Sequence, residues 1–365
     1  MFLRLLLIFP LACLAADLSN LAWQPERVTK ERILAEHTKG IELGTGPTFP
    51  TLVYITPWNP RGYYLARKTV SRLSHVSPVW LYVKPKFDEI NEIADVFVDG
   101  EHEINTQFIE YLQKHNPDVN IVPRFKFNAQ DFPTAQAVQM MQKEMLVARI
   151  VNRIVEFCEK HKFRGLVLEL LDAVYAGDKT SREIVLESIG TMGDKLMEHG
   201  LHVVFSMPAP VNYKASGEYS DRDGFLTNAE CQELLDHFHF IHIWTYTDQA
   251  NTVRDDIQIW VNANLKKFGF SKKILIGINY YGQEFSNTGV ESITGKQFLE
   301  KLKKPDSVLQ FNEKSVEHIL RTKDSMIVYP SMTSLEYRIT QAREKGVGIA
   351  IWDYGQGLDY FTNLI

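Results

Sequence analysis

Aromatic side chains gather at the ends of short β-branched runs in this 365-residue chain. Tyr54-Ile55-Thr56-Pro57-Trp58-Asn59 closes one run and Trp80 lies in a second. Trp244-Thr245-Tyr246, Tyr280-Tyr281 and Trp352-Asp353-Tyr354 close three more. Flat rings with a polar edge match the C–H faces of a sugar, so a common lining of this kind would stack on carbohydrate. Taken singly, each ring could instead cap the core at the end of its strand. Five at equivalent strand ends point to a shared groove.

Ionisable groups are fewer. The run Gly165-Leu166-Val167-Leu168-Glu169-Leu170-Leu171 carries one carboxylate. Because side chains alternate along a strand, Val167, Glu169 and Leu171 share a face, and Asp172 falls on the other. A buried carboxylate needs partners. Glu169 therefore pairs with a Tyr or Arg of the interior, accepts from a bound sugar, or does both. Arg124 carries two open readings: contact with an anionic or hydroxyl-rich ligand, or pairing with Glu169. His237, His239 and His242 lie close in sequence, but no carboxylate or Cys recurs at a matching interval, so a structural or exposed role is expected and no metal. Gly-x-Ser-x-Gly is absent. No cofactor motif occurs either.

These residues must be positioned by the elements around them. Strand-like runs fall at Leu52 to Thr56, Val76 to Val83, Val119 to Phe127, Gly165 to Leu170, His202 to Met207, Phe238 to Tyr246, Ile274 to Tyr280 and Val347 to Trp352. Between most of them lie amphipathic stretches, including Gln136 to Lys160, Ser181 to Glu198, Val253 to Phe268 and Ser334 to Lys345, with apolar residues three and four apart. Eight strands alternating with helices predict an α/β fold, a (β/α)8 TIM barrel that collects function at the carboxyl ends of its strands. An open doubly wound sheet is the rival, but the Gly-x-Gly-x-x-Gly turn of a dinucleotide fold is missing. Residues 283–331 exceed a plain crossover and predict a short hairpin-containing insertion after the seventh strand, with a helix over Thr294 to Lys303. Residues 17–50 read as an N-terminal extension and 51–365 as the barrel.

Residues 1–16 place Arg4 before the apolar run Leu5 to Phe9 and small residues at Cys13 to Ala16, the order of a signal peptide. The chain is expected to be secreted, with the medium and the lysosome as open destinations. No later stretch approaches the roughly 20 apolar residues of a membrane span. Forty Lys plus Arg against 45 Asp plus Glu give a net charge of -5, with no basic field for nucleic acid. Cys158 and Cys231 would remain after cleavage, and whether they bridge stays open. No Asn-x-Ser/Thr sequon occurs.

The chain resembles glycoside hydrolase family 18 over nearly everything after residue 50. The resemblance rests on Tyr54-Ile55-Thr56-Pro57-Trp58-Asn59, Ser77-Pro78-Val79-Trp80-Leu81, Ile121-Val122-Pro123-Arg124, Phe163-Arg164-Gly165, Ile276-Gly277-Ile278-Asn279-Tyr280-Tyr281-Gly282 and the block Gly346 to Phe361. Active members carry Asp-Gly-x-Asp-x-Asp-x-Glu on the fourth strand, where the Glu protonates the leaving group and the substrate's N-acetyl oxygen attacks. Aligned here, those carboxylates fall on Arg164, Val167, Glu169 and Leu171. General acid catalysis supplies about 100- to 10,000-fold, and Leu171 can provide none. The resemblance thus implies a catalytically deficient, chitinase-like lectin for chitooligosaccharides or related glycans, lipopolysaccharide among them. Its groove would be lined by Trp58, Trp80, Arg124, Glu169, Trp244, Tyr246, Tyr281 and Trp352. Tyr246 aligns with the family's N-acetyl-binding Tyr and Trp352 with the ring that floors the central subsite, whereas Thr247 replaces the Asp after that Tyr and shifts the next one to Asp248. The alternative is a weak hydrolase using Glu169 or Asp172 as the acid. A stabilin-type sorting receptor is the protein partner that the resemblance implies.

Overall fold

The computed structural model describes residues 17–40, 49–132, 134–170, 179–213, 219–222, 225–246 and 257–365. Thr51–Ile55, the first barrel strand, pairs in parallel with His75–Pro78 on one side and Gly348–Trp352 on the other. From Gly348–Trp352 the parallel pairing continues through Ile274–Asn279, Phe240–Trp244, His202–Pro208 and Gly165–Glu169 to Arg124–Phe127. Arg124–Phe127 pairs with Leu81–Phe87, and Asn120–Ile121 with His75–Pro78, so the second and third strands each consist of two pieces and the ring closes. The breaks fall beside Pro78 and Pro123, which have no N–H to give a ladder.

Closure sorts the apolar residues into two layers. Leu52, Tyr54, Val79, Val122, Val167, Val204, Leu275 and Ala350 fill the interior. The opposite faces of the strands join a larger core beneath the helices, where Leu166, Leu168 and Leu170 lie. The two layers are the two sides of one pleat. Helices Glu144–His161, Lys179–Glu198, Ile257–Lys267 and Met332–Lys345 supply much of that cover. Met332–Lys345 ends at Gly346 with φ 67°, a left-handed cap that glycine adopts without strain.

Three features go beyond the sequence-based expectation. The segment after the seventh strand is a five-stranded antiparallel sheet, in the order Gly289–Ile293, Gly282–Ser286, Ser325–Val328, Glu317–Arg321 and Val308–Asn312, with helix Gly295–Leu302. It was expected to be a hairpin with two strand-like pieces. Most of its strands are only partly buried, so they lack the apolar runs that betray a barrel strand. Leu81–Phe87 also runs past the barrel and folds back as Ile93–Asp99. Residues 17–40, read as an extension, are tied down: the backbone N–H groups of Ala22 and Trp23 donate to Glu336, and Trp23 meets the edge of Tyr360. Cys158 and Cys231 are free buried thiols whose pKa burial pushes up to about 12. Residues 1–16 lie outside the described residues.

Candidate functional site

Val167 and Glu169 both occupy the barrel interior side of the fourth strand, as alternation requires. Glu169 is 5% exposed and its carboxylate is engaged at both oxygens: Arg124 Nη1 donates to Oε2 at 3.2 Å, and Lys126 Nζ reaches Oε1 at 2.9 Å. Pairing is therefore the observed state of Arg124. Lys126 was absent from the sequence-based set, although its position two residues beyond Arg124 on the same strand places it on the same face. Register brings it opposite Glu169, with Arg124 opposite Val167.

Trp352 lies beside this triad at the end of the eighth strand, partly exposed. The Arg124 guanidinium stands 5.3 Å from its ring centroid, and Tyr54 meets it edge-on at 5.2 Å. Tyr54 leads to His242, a buried imidazole of the sixth strand. The Tyr54 hydroxyl lies 2.8 Å and Ser206 Oγ 3.0 Å from Nδ1, and the Tyr246 hydroxyl lies 3.0 Å from Nε2. Trp244 Nε1 donates to Ser206 Oγ at 2.8 Å. Ser206 and Tyr54 thus share Nδ1, and the Tyr246 hydroxyl meets the other ring nitrogen. Burial lowers the His242 pKa to about 3 and raises the phenols of Tyr54 and Tyr246, so all three are neutral at ordinary pH. Gly277 makes room for this network, since a Cβ there would stand 2.9 Å from the Tyr246 ring and 3.0 Å from the Thr245 nitrogen.

The remaining expected residues separate. Tyr281 is partly exposed after the seventh strand, and its carbonyl accepts from Asn279. Trp58 is 61% exposed on the rim between two hollows, about 540 and 420 Å³. Trp80 is 1% exposed in the outer core with its indole donating to Tyr63, while Val79 takes the inward position; both border the 420 Å³ hollow beside Trp58. Arg164 is exposed at the amino end of the fourth strand, the face opposite the aromatic cluster. Leu171, Asp172, Thr247 and Asp248 lie outside the described residues. His237, His239 and His242 do not converge: His237 bonds Asp194, His239 lies tilted against His202, and His242 belongs to the tyrosine network.

A partly exposed Trp over a cation, a hydroxyl-rich wall and a charge-paired carboxylate at a barrel mouth can hold a polyol ring by stacking and hydrogen bonds. Residues 51–357 match the family described as Glycosyl hydrolases family 18. The fold is similar to that of a chitinase from Chromobacterium violaceum, with TM-score 0.69 and 14% identity over 87% of this chain and 98% of that one. A class V chitinase from Pseudomonas fluorescens gives TM-score 0.67 and 15% identity, covering 87% of this chain and 98% of that one. A family 18 chitinase from Cycas revoluta in complex with (GlcNAc)3 gives 0.65 and 12%, covering 86% and 97%.

Proposed function

Because the chain belongs to glycosyl hydrolase family 18, we propose that it keeps the family's sugar-binding face without its hydrolytic chemistry, acting as a lectin for chitooligosaccharides or related glycans. The observation that carries this reading is the state of Glu169. A general acid must offer a proton beside the leaving oxygen, whereas both oxygens of Glu169 already receive cations, from Arg124 and Lys126. Aligned with the family motif, the acid itself falls on Leu171. Trp352 supplies a ring face, and Tyr246 a hydroxyl suited to an N-acetyl carbonyl.

Isothermal titration with tetra-N-acetylchitotetraose tests binding. Trp352→Ala is expected to weaken it about 5- to 150-fold, the span of a truncated stacking anchor; unchanged affinity in a folded variant removes Trp352 from the site. Hydrolysis assays on the same ligand are expected to show no turnover. Turnover by the wild type that disappears in Glu169→Gln would favour the weak-hydrolase alternative, and turnover that persists would point to Asp172.

The block Gly346 to Phe361 also leads us to place the chain beside the stabilin-interacting chitinase-like proteins, which makes a stabilin-type sorting receptor its protein partner and lipopolysaccharide a second ligand to try, in an innate-immune setting. Secretion through the leader at 1–16, to the medium or the lysosome, belongs to the same proposal.

A further inference from the structure

We infer that the sugar held at the barrel mouth carries an anionic substituent, which Arg124 and Lys126 recognise together. This rests on the sugar-binding reading of the same site and names the ligand class within it. Two cations converge on one carboxylate, so the triad carries a net positive charge. Its described neighbours do not cancel it: His242, Tyr54 and Tyr246 are neutral, and Ser206 and Trp244 are uncharged. Arg124 and Lys126 alternate on one strand and face the same way, with Val167 and Glu169 opposite them in the register of the fourth strand.

The donors are also undersupplied. Arg124 is 5% exposed, and its Nε is buried with no hydrogen-bond partner. A buried donor left unsatisfied is unfavourable, so an arriving acceptor relieves it. Lys126 has three N–H donors and a side chain 32% exposed, against a single ion-pair contact among the described residues, to Glu169. A water-accessible ammonium beside a buried guanidinium provides a point charge and a planar fork, the two donor geometries that bind carboxylate and phosphate. Trp352 fixes where the anion falls. A pyranose stacked on its indole lies next to the guanidinium that stands 5.3 Å from the same ring, so a charged group at the sugar's edge meets Arg124 without leaving the stack.

A sugar carboxylate and a sugar phosphate share this chemistry, and calorimetry on the full chain separates them. Tri-N-acetylchitotriose is the neutral probe, trigalacturonic acid the carboxylate and N-acetylglucosamine 6-phosphate the phosphate. At least one anionic probe is expected to bind tenfold or more tighter than its neutral counterpart, chitotriose for the trimer and N-acetylglucosamine for the phosphate. That preference should shrink severalfold between 25 and 250 mM NaCl, because exposed charge pairs are screened. Lys126→Gln, which leaves the Arg124–Glu169 pair in place, should abolish most of the preference; its melting curve checks folding. The better anionic probe identifies the source. The inference falls if neither anion binds more tightly than its neutral counterpart, or if the anionic preference survives in Lys126→Gln. Failure of all the probes to bind would instead remove the sugar-binding reading on which it stands.

Discussion

Acidifying the protein from pH 7.5 to 5 will lower its unfolding free energy by several kcal/mol, well before its carboxylates titrate. The cause is a set of histidines buried in neutral form. At the amino-terminal floor of the barrel, His75 of the second strand and His202 of the fifth meet across the interior with their Nε2 atoms 2.9 Å apart. The His239 ring lies tilted against His202 with centroids 4.2 Å apart, and Ser74 Oγ lies 2.9 Å from His75 Nδ1. Burial, followed by the neighbouring imidazoles, lowers the pKa of His75 to about 3 and that of His202 to about 4. Burial also brings His242 to about 3 and His318 to about 4. In each case the folded pKa lies below the unfolded value, so between pH 6.5 and about 4 the unfolded chain binds protons that the folded chain refuses. Stability therefore falls as pH falls through that window and levels off only below the folded values. A group held fully neutral contributes a loss of about 2 kcal/mol at pH 5, and His75 and His242 are the most deeply buried of the four. Urea unfolding at half-unit steps from pH 7.5 to 5 measures the slope, and a flat profile across that range would show that the histidines titrate normally. Replacing His75 with Gln should remove about one proton from the linkage.

The second large effect is Glu317→Ala, expected to destabilise the fold by about 3–5 kcal/mol. Glu317 lies in the antiparallel insertion and Arg338 on the last long helix; they are 2% and 4% exposed and form an ion pair. Arg338 Nη1 also donates to Asn279, at the end of the seventh barrel strand. The pair thus ties the insertion, the barrel and the helix together. Removing the carboxylate takes the Glu317 partner from a buried guanidinium, a heavier penalty than losing one surface contact. Glu317→Ala/Arg338→Met removes both charges and fills part of the volume, so it should recover most of the loss. Chemical denaturation of the two variants decides the matter: equal losses in both would mean that packing, rather than uncompensated charge, governs the site.

The barrel strands were legible because each is a local pattern. Apart from Glu169, Gly165 to Leu170 is apolar on both faces and lies where crossover helices cover one side and closure the other. The insertion was underestimated for the converse reason. Strands such as Val308–Asn312 and Gly289–Ile293 keep much of their surface in water, so their sequences carry little apolar periodicity. At the site, Glu169, Arg124, Trp244, Tyr246 and Trp352 came from strand position and family alignment. Lys126 was accessible from the same alternation once Arg124 was placed inward. Trp80 shows the limit: the strand breaks beside Pro78, and side-chain direction cannot be counted across an interruption whose geometry the sequence does not state.

What the sequence by itself determined is which residues share a face and at which end of a strand they stand, because the backbone pleat imposes a period of two wherever a strand is continuous. Val167 and Glu169 turn inward on that ground alone. Only the tertiary structure decided what those residues meet. Closing eight strands into a ring brings His75 to His202 across 127 positions, Tyr54 to His242 across 188, and Arg124 and Lys126 to one carboxylate. Those contacts depend on barrel register, a property of the whole sheet. For that reason the shared face of Val167 and Glu169 was readable in advance, and the two cations that meet Glu169 were not.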